Sequence, residues 1–91
     1  MSGIIIEHHI DDKKREDLKV VTWPLWAMEP TTYTKKYEMP ESVYVEDGLA
    51  ILTGEDLSPA ELNQGCLITI PAGVELTWEI RKTLKKRYLL G

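Results

Sequence analysis

The chain has 91 residues, enough for one domain around one core. Hydrophobic residues make up 43% and charged residues 29% of it, the balance of a globular domain, and no apolar run approaches the ~20 residues that a membrane helix needs. The net charge of −4 argues against nucleic acid as a partner, and the single cysteine, Cys66, excludes an intramolecular disulfide.

Ile4-Ile5-Ile6 through Ile10 reads as a first strand. It is too short, and too soon followed by charge, for a signal peptide, so the cytoplasm is the expected compartment. His8 and His9 are the only histidines. As neighbours on a strand they point to opposite faces and are not expected to chelate one metal together. Asp12 is placed to cap a short helical turn over Lys13–Leu18.

Beyond that turn the pattern is β throughout. Strands are predicted at Val20–Trp23, Leu25–Met28, Thr31–Tyr37, Ser42–Glu46, Leu49–Thr53, Ala60–Leu62, Leu67–Ile70, Val74–Ile80 and Thr83–Leu90. Asp47-Gly48 predicts a two-residue hairpin turn, since both central positions of such a turn need positive φ. Gly54 to Pro59 predicts a longer loop. Asn63-Gln64-Gly65 and Pro71-Ala72-Gly73 predict two further turns. The cleanest alternation runs over 74–81: Val74, Leu76, Trp78 and Ile80 share one face, and Glu75, Thr77, Glu79 and Arg81 the other. Many short strands at close spacing predict an all-β sandwich or barrel. Residues 1–91 are read as a single domain, with a strand and a helical turn over 4–18 and the barrel over about 20–90.

Charge is unevenly spread. Between Tyr37 and Ile80 there is no Lys or Arg and there are nine acids, whereas Arg81, Lys82, Lys85, Lys86 and Arg87 crowd the last strand. Basic residues on an outer strand protect its edge from unwanted pairing. That reading is preferred to a nucleic-acid face.

Two spacings carry a resemblance. Gly65, Pro71-Ala72-Gly73 and Leu76 fall at the positions of the second cupin motif, G-x5-P-x-G-x2-H-x3-N, and Glu41 with Gly48 at the end of the first, H-x-H-x3-4-E-x6-G. Trp23-Pro24-Leu25-Trp26 and Lys86-Arg87-Tyr88 resemble a narrower group. That group is the small single-domain cupins related to the cupin part of (S)-ureidoglycine aminohydrolase and to ethanolamine-utilisation cupins. The resemblance spans roughly Val20 to Tyr88 and implies a jelly-roll or conical β-barrel with a pocket at one end. In metal cupins the motif histidines and the glutamate hold a transition metal. Here Glu41 keeps the glutamate position, but the H-x-H positions fall on Lys35 and Tyr37 (or Thr34 and Lys36 with the longer spacer). The second-motif histidine is Leu76, its asparagine is Ile80, and the Asp that usually follows the motif glycine is Cys66. One carboxylate among Tyr, Lys and Leu does not make a first-row metal site, so no cofactor is expected.

Glu41 shares a strand face with Val43 and Val45, facing the interior, where a carboxylate needs a partner. Lys86 shares a face with Leu84 and Tyr88. Lys86 or Tyr37 is therefore expected to reach Glu41 inside the barrel; the competing reading leaves Glu41 at a solvated strand end beside Pro40. If the chain is an enzyme, its catalytic residues are expected to be Glu41, Tyr37 and Lys86. The pocket is expected to be lined by Trp26, Tyr33, Tyr37, Glu41, Val43, Leu76 and Trp78. Three functions fit these residues: a metal-free small-molecule-binding or accessory cupin, an enzyme acting on a small polar metabolite through Glu41, and an interaction module with a closed barrel. A homodimer is expected, because the N-terminal strand has no hairpin partner in sequence and free edges pair across subunits.

Overall fold

Two long strands form the spine of the molecule in the computed structural model, which describes residues 3–55 and 57–91. The elements in chain order are β1 (Ile5–Glu7), helix α1 (Asp12–Asp17), a 3-10 turn (Val20–Thr22), β2 (Leu25–Met28), β3 (Thr31–Lys36), β4 (Glu41–Gly54), β5 (Leu57–Leu62), β6 (Leu67–Ile70) and β7 (Glu75–Leu90). β4 and β7 run antiparallel along most of their length. The seven strands form one antiparallel sheet in the order β1-β6-β4-β7-β2. β3 also pairs with β7, and β5 with β4. Each long strand thus has two shorter partners in succession, and the sheet curls around a single core of Tyr37, Val43, Val45, Ala50, Leu52, Leu62, Cys66, Ile68, Ile70, Leu76, Trp78, Ile80 and Leu84. The alternation read over 74–81 holds: Leu76, Trp78 and Ile80 are buried.

A second, smaller cluster lies on the outside of the sheet. Val20, Trp23, Tyr44 and Leu67 pack there with Ile10. Arg87 fixes this layer. Its Nε donates to Glu46 Oε2 at 2.6 Å, and its Nη1 donates to the carbonyls of Val21 and Trp23. These bonds hold residues 20–23 in a tight turn, so the strand predicted at Val20–Trp23 does not form. Lys19 enters the turn with φ of 56°. The helical turn is present, but its cap is Asp11 rather than Asp12: Asp11 Oδ1 accepts from Lys14 N at 2.8 Å. The first strand ends at Glu7, because His9 has φ of 52°.

The hairpin predicted at Asp47-Gly48 is also absent. β4 continues straight through this dipeptide, and its register against β7 shifts there. Val45 faces Lys86 and Ala50 faces Ile80, so five steps of one strand oppose six of the other, a bulge. Gly48 has φ of +105°, and a Cβ on it would collide with the Thr83 carbonyl and lie 2.8 Å from Leu84 Cα. Asp47 keeps negative φ, which rules out the turn type that the dipeptide suggests. The predicted Gly54–Pro59 loop is shortened by β5, which begins at Leu57; Asp56 lies outside the described residues.

Candidate functional site

Strand register gathers side chains from β2, β3, β4 and β7 onto one face. Trp26 lies opposite Lys86, Tyr33 opposite Trp78, Lys35 opposite Leu76, Val43 opposite Tyr88 and Glu41 opposite Leu90. Directly opposed residues point the same way, so all of these face the concave side. A cleft of about 290 Å³ is lined by Trp26, Met28, Tyr33, Lys35, Glu41, Lys86, Tyr88 and Leu90, from β2, β3, β4 and β7. Aromatic and aliphatic side chains make its walls, and Trp26 is 54% exposed at its rim.

Three charges meet in this cleft. Glu41 is 5% exposed and Lys86 6%. The ion-pair partner of Glu41 is Lys35, whose Nζ stands 3.2 Å from Oε1 and 4.8 Å above the Tyr37 ring. Lys86 Nζ stands 4.8 Å above the Trp78 ring, a cation–π contact, and makes no hydrogen bond or ion pair among the described residues. Burial lowers the Lys86 pKa from its usual value, the Glu41 carboxylate opposes that shift, and the Lys35 ammonium adds to it. Tyr33 stacks on Trp78 with ring centroids 6.4 Å apart. Its phenol is pushed up to about 12 by burial and, secondarily, by Glu41.

The expected site residues divide into two groups. Trp26, Tyr33, Glu41 and Lys86 meet in the cleft. Tyr37, Val43, Leu76 and Trp78 lie beneath it in the core, each at most 1% exposed. Tyr37 makes no hydrogen bond to Glu41 among the described residues: its hydroxyl accepts from Trp78 Nε1 at 2.9 Å, and burial raises its pKa, with the Trp78 hydrogen bond working against that shift and the Glu41 carboxylate adding to it. The solvated-end reading of Glu41 is likewise overturned by its burial. Lys35, Met28, Tyr88 and Leu90 are cleft residues that the pocket reading omits. The signal for Lys35 is present in the alternation Tyr33, Lys35, Tyr37, which sets all three on one face.

Outside the cleft, His8 Nδ1 lies 3.4 Å from Cys66 Sγ, and Asn63 Oδ1 lies 3.7 Å from the same sulfur. Cys66 is completely buried, so the imidazole caps a thiol that no substrate reaches. His9 packs over Gly65, where a Cβ would stand 3.0 Å from its ring. A larger hollow of about 630 Å³ lies where the end of β4 meets the start of β7, with Lys36, Glu55 and Glu75 among its lining. None of its described polar side chains is buried.

The donor set at Glu41 does not suit a transition metal. Two ammonium groups, phenols and hydrocarbon surround the one carboxylate, and one ammonium stands at hydrogen-bonding distance from it. Among the described residues no group of three or more His, Cys, Asp or Glu side chains is placed to hold a metal ion.

A curled antiparallel sheet with an open cleft on its concave face is the architecture of a small cupin, and comparison with known proteins agrees. The chain belongs to the EutQ-like cupin domain family, whose model matches residues 15–88. It is similar to a DUF861 family protein from Thermotoga maritima: 28% identity over 97% of this chain and 99% of that one, with a TM-score of 0.89. A DUF1255 protein from Acidithiobacillus ferrooxidans is 26% identical over 69% of this chain and 60% of its own, with a TM-score of 0.66. The EutQ protein of Clostridium difficile shares the fold, with 23% identity, a TM-score of 0.65, and coverage of 72% of this chain and 52% of that one. No curated protein matches. No helix among the described residues is long and apolar enough to cross a membrane.

Proposed function

We propose that this chain is a metal-free cupin that binds a small molecule in the cleft between β2, β3 and β7. One observation carries the reading: an open, aromatic-walled cleft holds a buried Lys86 beside the Lys35–Glu41 pair. Cavities of roughly 300 Å³ and more, with apolar walls and a few convergent polar groups, suit small organic ligands. The enzyme reading has less support. The Glu41 carboxylate is engaged by Lys35, and the Tyr37 phenol is buried in the core beneath the cleft, where a substrate does not reach it. The closed-module reading conflicts with the open cleft.

The test is a backbone and methyl NMR titration of the full chain with a set of neutral, anionic and cationic ring compounds. The expected result is shifts confined to Trp26, Met28, Tyr33, Tyr88 and their neighbours. A cleft that no compound perturbs would favour the interaction module. The proposal extends to a homodimer, supported by β1 and β2 at the ends of the strand order and by exposed Leu25 and Leu89. Light scattering that finds only the 10.4 kDa chain contradicts it. The cytoplasm is the proposed compartment, supported by the free Cys66; fractionation that finds the protein elsewhere contradicts it.

A further inference from the structure

We infer that the ligand of the cleft is a small monoanion with a flat apolar body, an aromatic monocarboxylate of about benzoate size, received by the Lys86 ammonium. The inference rests on the binding reading above and narrows it to one chemical class. Lys86 is more than nine-tenths buried, it lines the cleft, and its ammonium has no acceptor among the described residues. An ammonium carries three donors; here it meets solvent only through the cleft, since no fully buried side-chain nitrogen lacks a partner among the described residues. The Trp78 ring offers it a π face but no lone pair. A ligand carboxylate supplies the missing acceptor.

The charge count sets the sign and the size of the ligand charge. Lys35 and Lys86 bring two positive charges, and Glu41, already 3.2 Å from Lys35, brings one negative charge. One positive charge is left over. A cationic ligand meets two ammonium groups. A dianion meets the Glu41 carboxylate with its second charge. A phosphate is better served by a guanidinium fork or a run of backbone N–H groups, and no arginine lines the cleft. The walls set the body of the ligand. Trp26, Tyr33 and Tyr88 bring aromatic side chains to the lining, with Met28 and Leu90 beside them. A flat ring finds offset-stacked and edge contacts there that a chain of equal volume does not.

The experiment is calorimetric titration of the full chain with benzoate and with benzamide, which has nearly the same shape and no charge, repeated on Lys86→Met. Benzoate is expected to bind the unaltered protein at least tenfold more tightly than benzamide. In Lys86→Met the two are expected to bind alike and weakly, with a dispersed amide NMR spectrum as the check on folding. Should Lys86→Met not fold, Lys86→Gln serves in its place, and the comparison of benzoate with benzamide on the unaltered protein needs neither variant. Equal affinity for both compounds overturns the monoanion assignment and leaves the binding cleft standing. Benzoate binding that survives the loss of Lys86 overturns the role given to that residue. Binding of neither compound overturns this inference, and the reading beneath it falls only if the wider set of ring compounds also leaves the cleft unperturbed.

Discussion

Lys86 is held in the molecule at a cost to its stability. The residue is 6% exposed, and its ammonium leans on the Trp78 ring with no carboxylate in hydrogen-bonding reach among the described residues. A cation–π contact offsets only part of the desolvation of a buried charge. Lys86→Met keeps the length of the stem and removes the charge. It is expected to stabilise the fold by about 1 kcal/mol at neutral pH, measured by denaturant unfolding. The sign with pH follows from the lowered Lys86 pKa. Between the folded value and the unfolded value near 10.5, the unfolded chain binds more protons, so stability rises with pH across that window. The penalty is complete below the folded value and relieved above it. The advantage of Lys86→Met is therefore expected to shrink as pH rises toward 10.5. An advantage that does not change with pH would show that the ammonium is not desolvated.

At the scale of elements, Gly48 decides how β4 crosses β7. The conformation at φ of +105° and the approach of its Cα to the Thr83 carbonyl both require the absence of a side chain. Gly48→Ala is expected to cost about 2 kcal/mol or more, through strain and displaced β7 backbone together. A midpoint in urea close to that of the unaltered protein contradicts this role. The same residue shows where sequence reasoning succeeds and where it fails. Asp-Gly correctly marks a position of positive φ, but the nearest use of that geometry, a hairpin, was the wrong one. The dipeptide sits in a bulge whose partner strand lies more than thirty residues away. Leu25–Met28 and Leu67–Ile70 were legible because short apolar runs there are bounded by turn residues. Val20–Trp23 reads as a strand through its β-branched residues, yet Arg87 bonds its carbonyls from the far end of the chain. Long-range contacts of this kind override local preference.

For the whole molecule, the two-motif spacing was enough to indicate the cupin fold, because the motif positions fix turns and strand ends. Part of the cleft was also legible, since period-2 alternation sets Glu41 and Lys86 inward on their own strands. The partner of Glu41 was not. Its choice of Lys35 over Lys86 depends on how the end of β3 meets the start of β4 across the curled sheet, and no local pattern encodes that. A lysine pair and one carboxylate line the cleft, and the function proposed for it is binding without a metal. The most direct test is elemental analysis of protein purified with no affinity tag and no chelating column. The expected result is transition metal far below one atom per chain. Near-stoichiometric metal would contradict the account, because Glu41 would then have recruited ligands from His8, His9 or a second subunit.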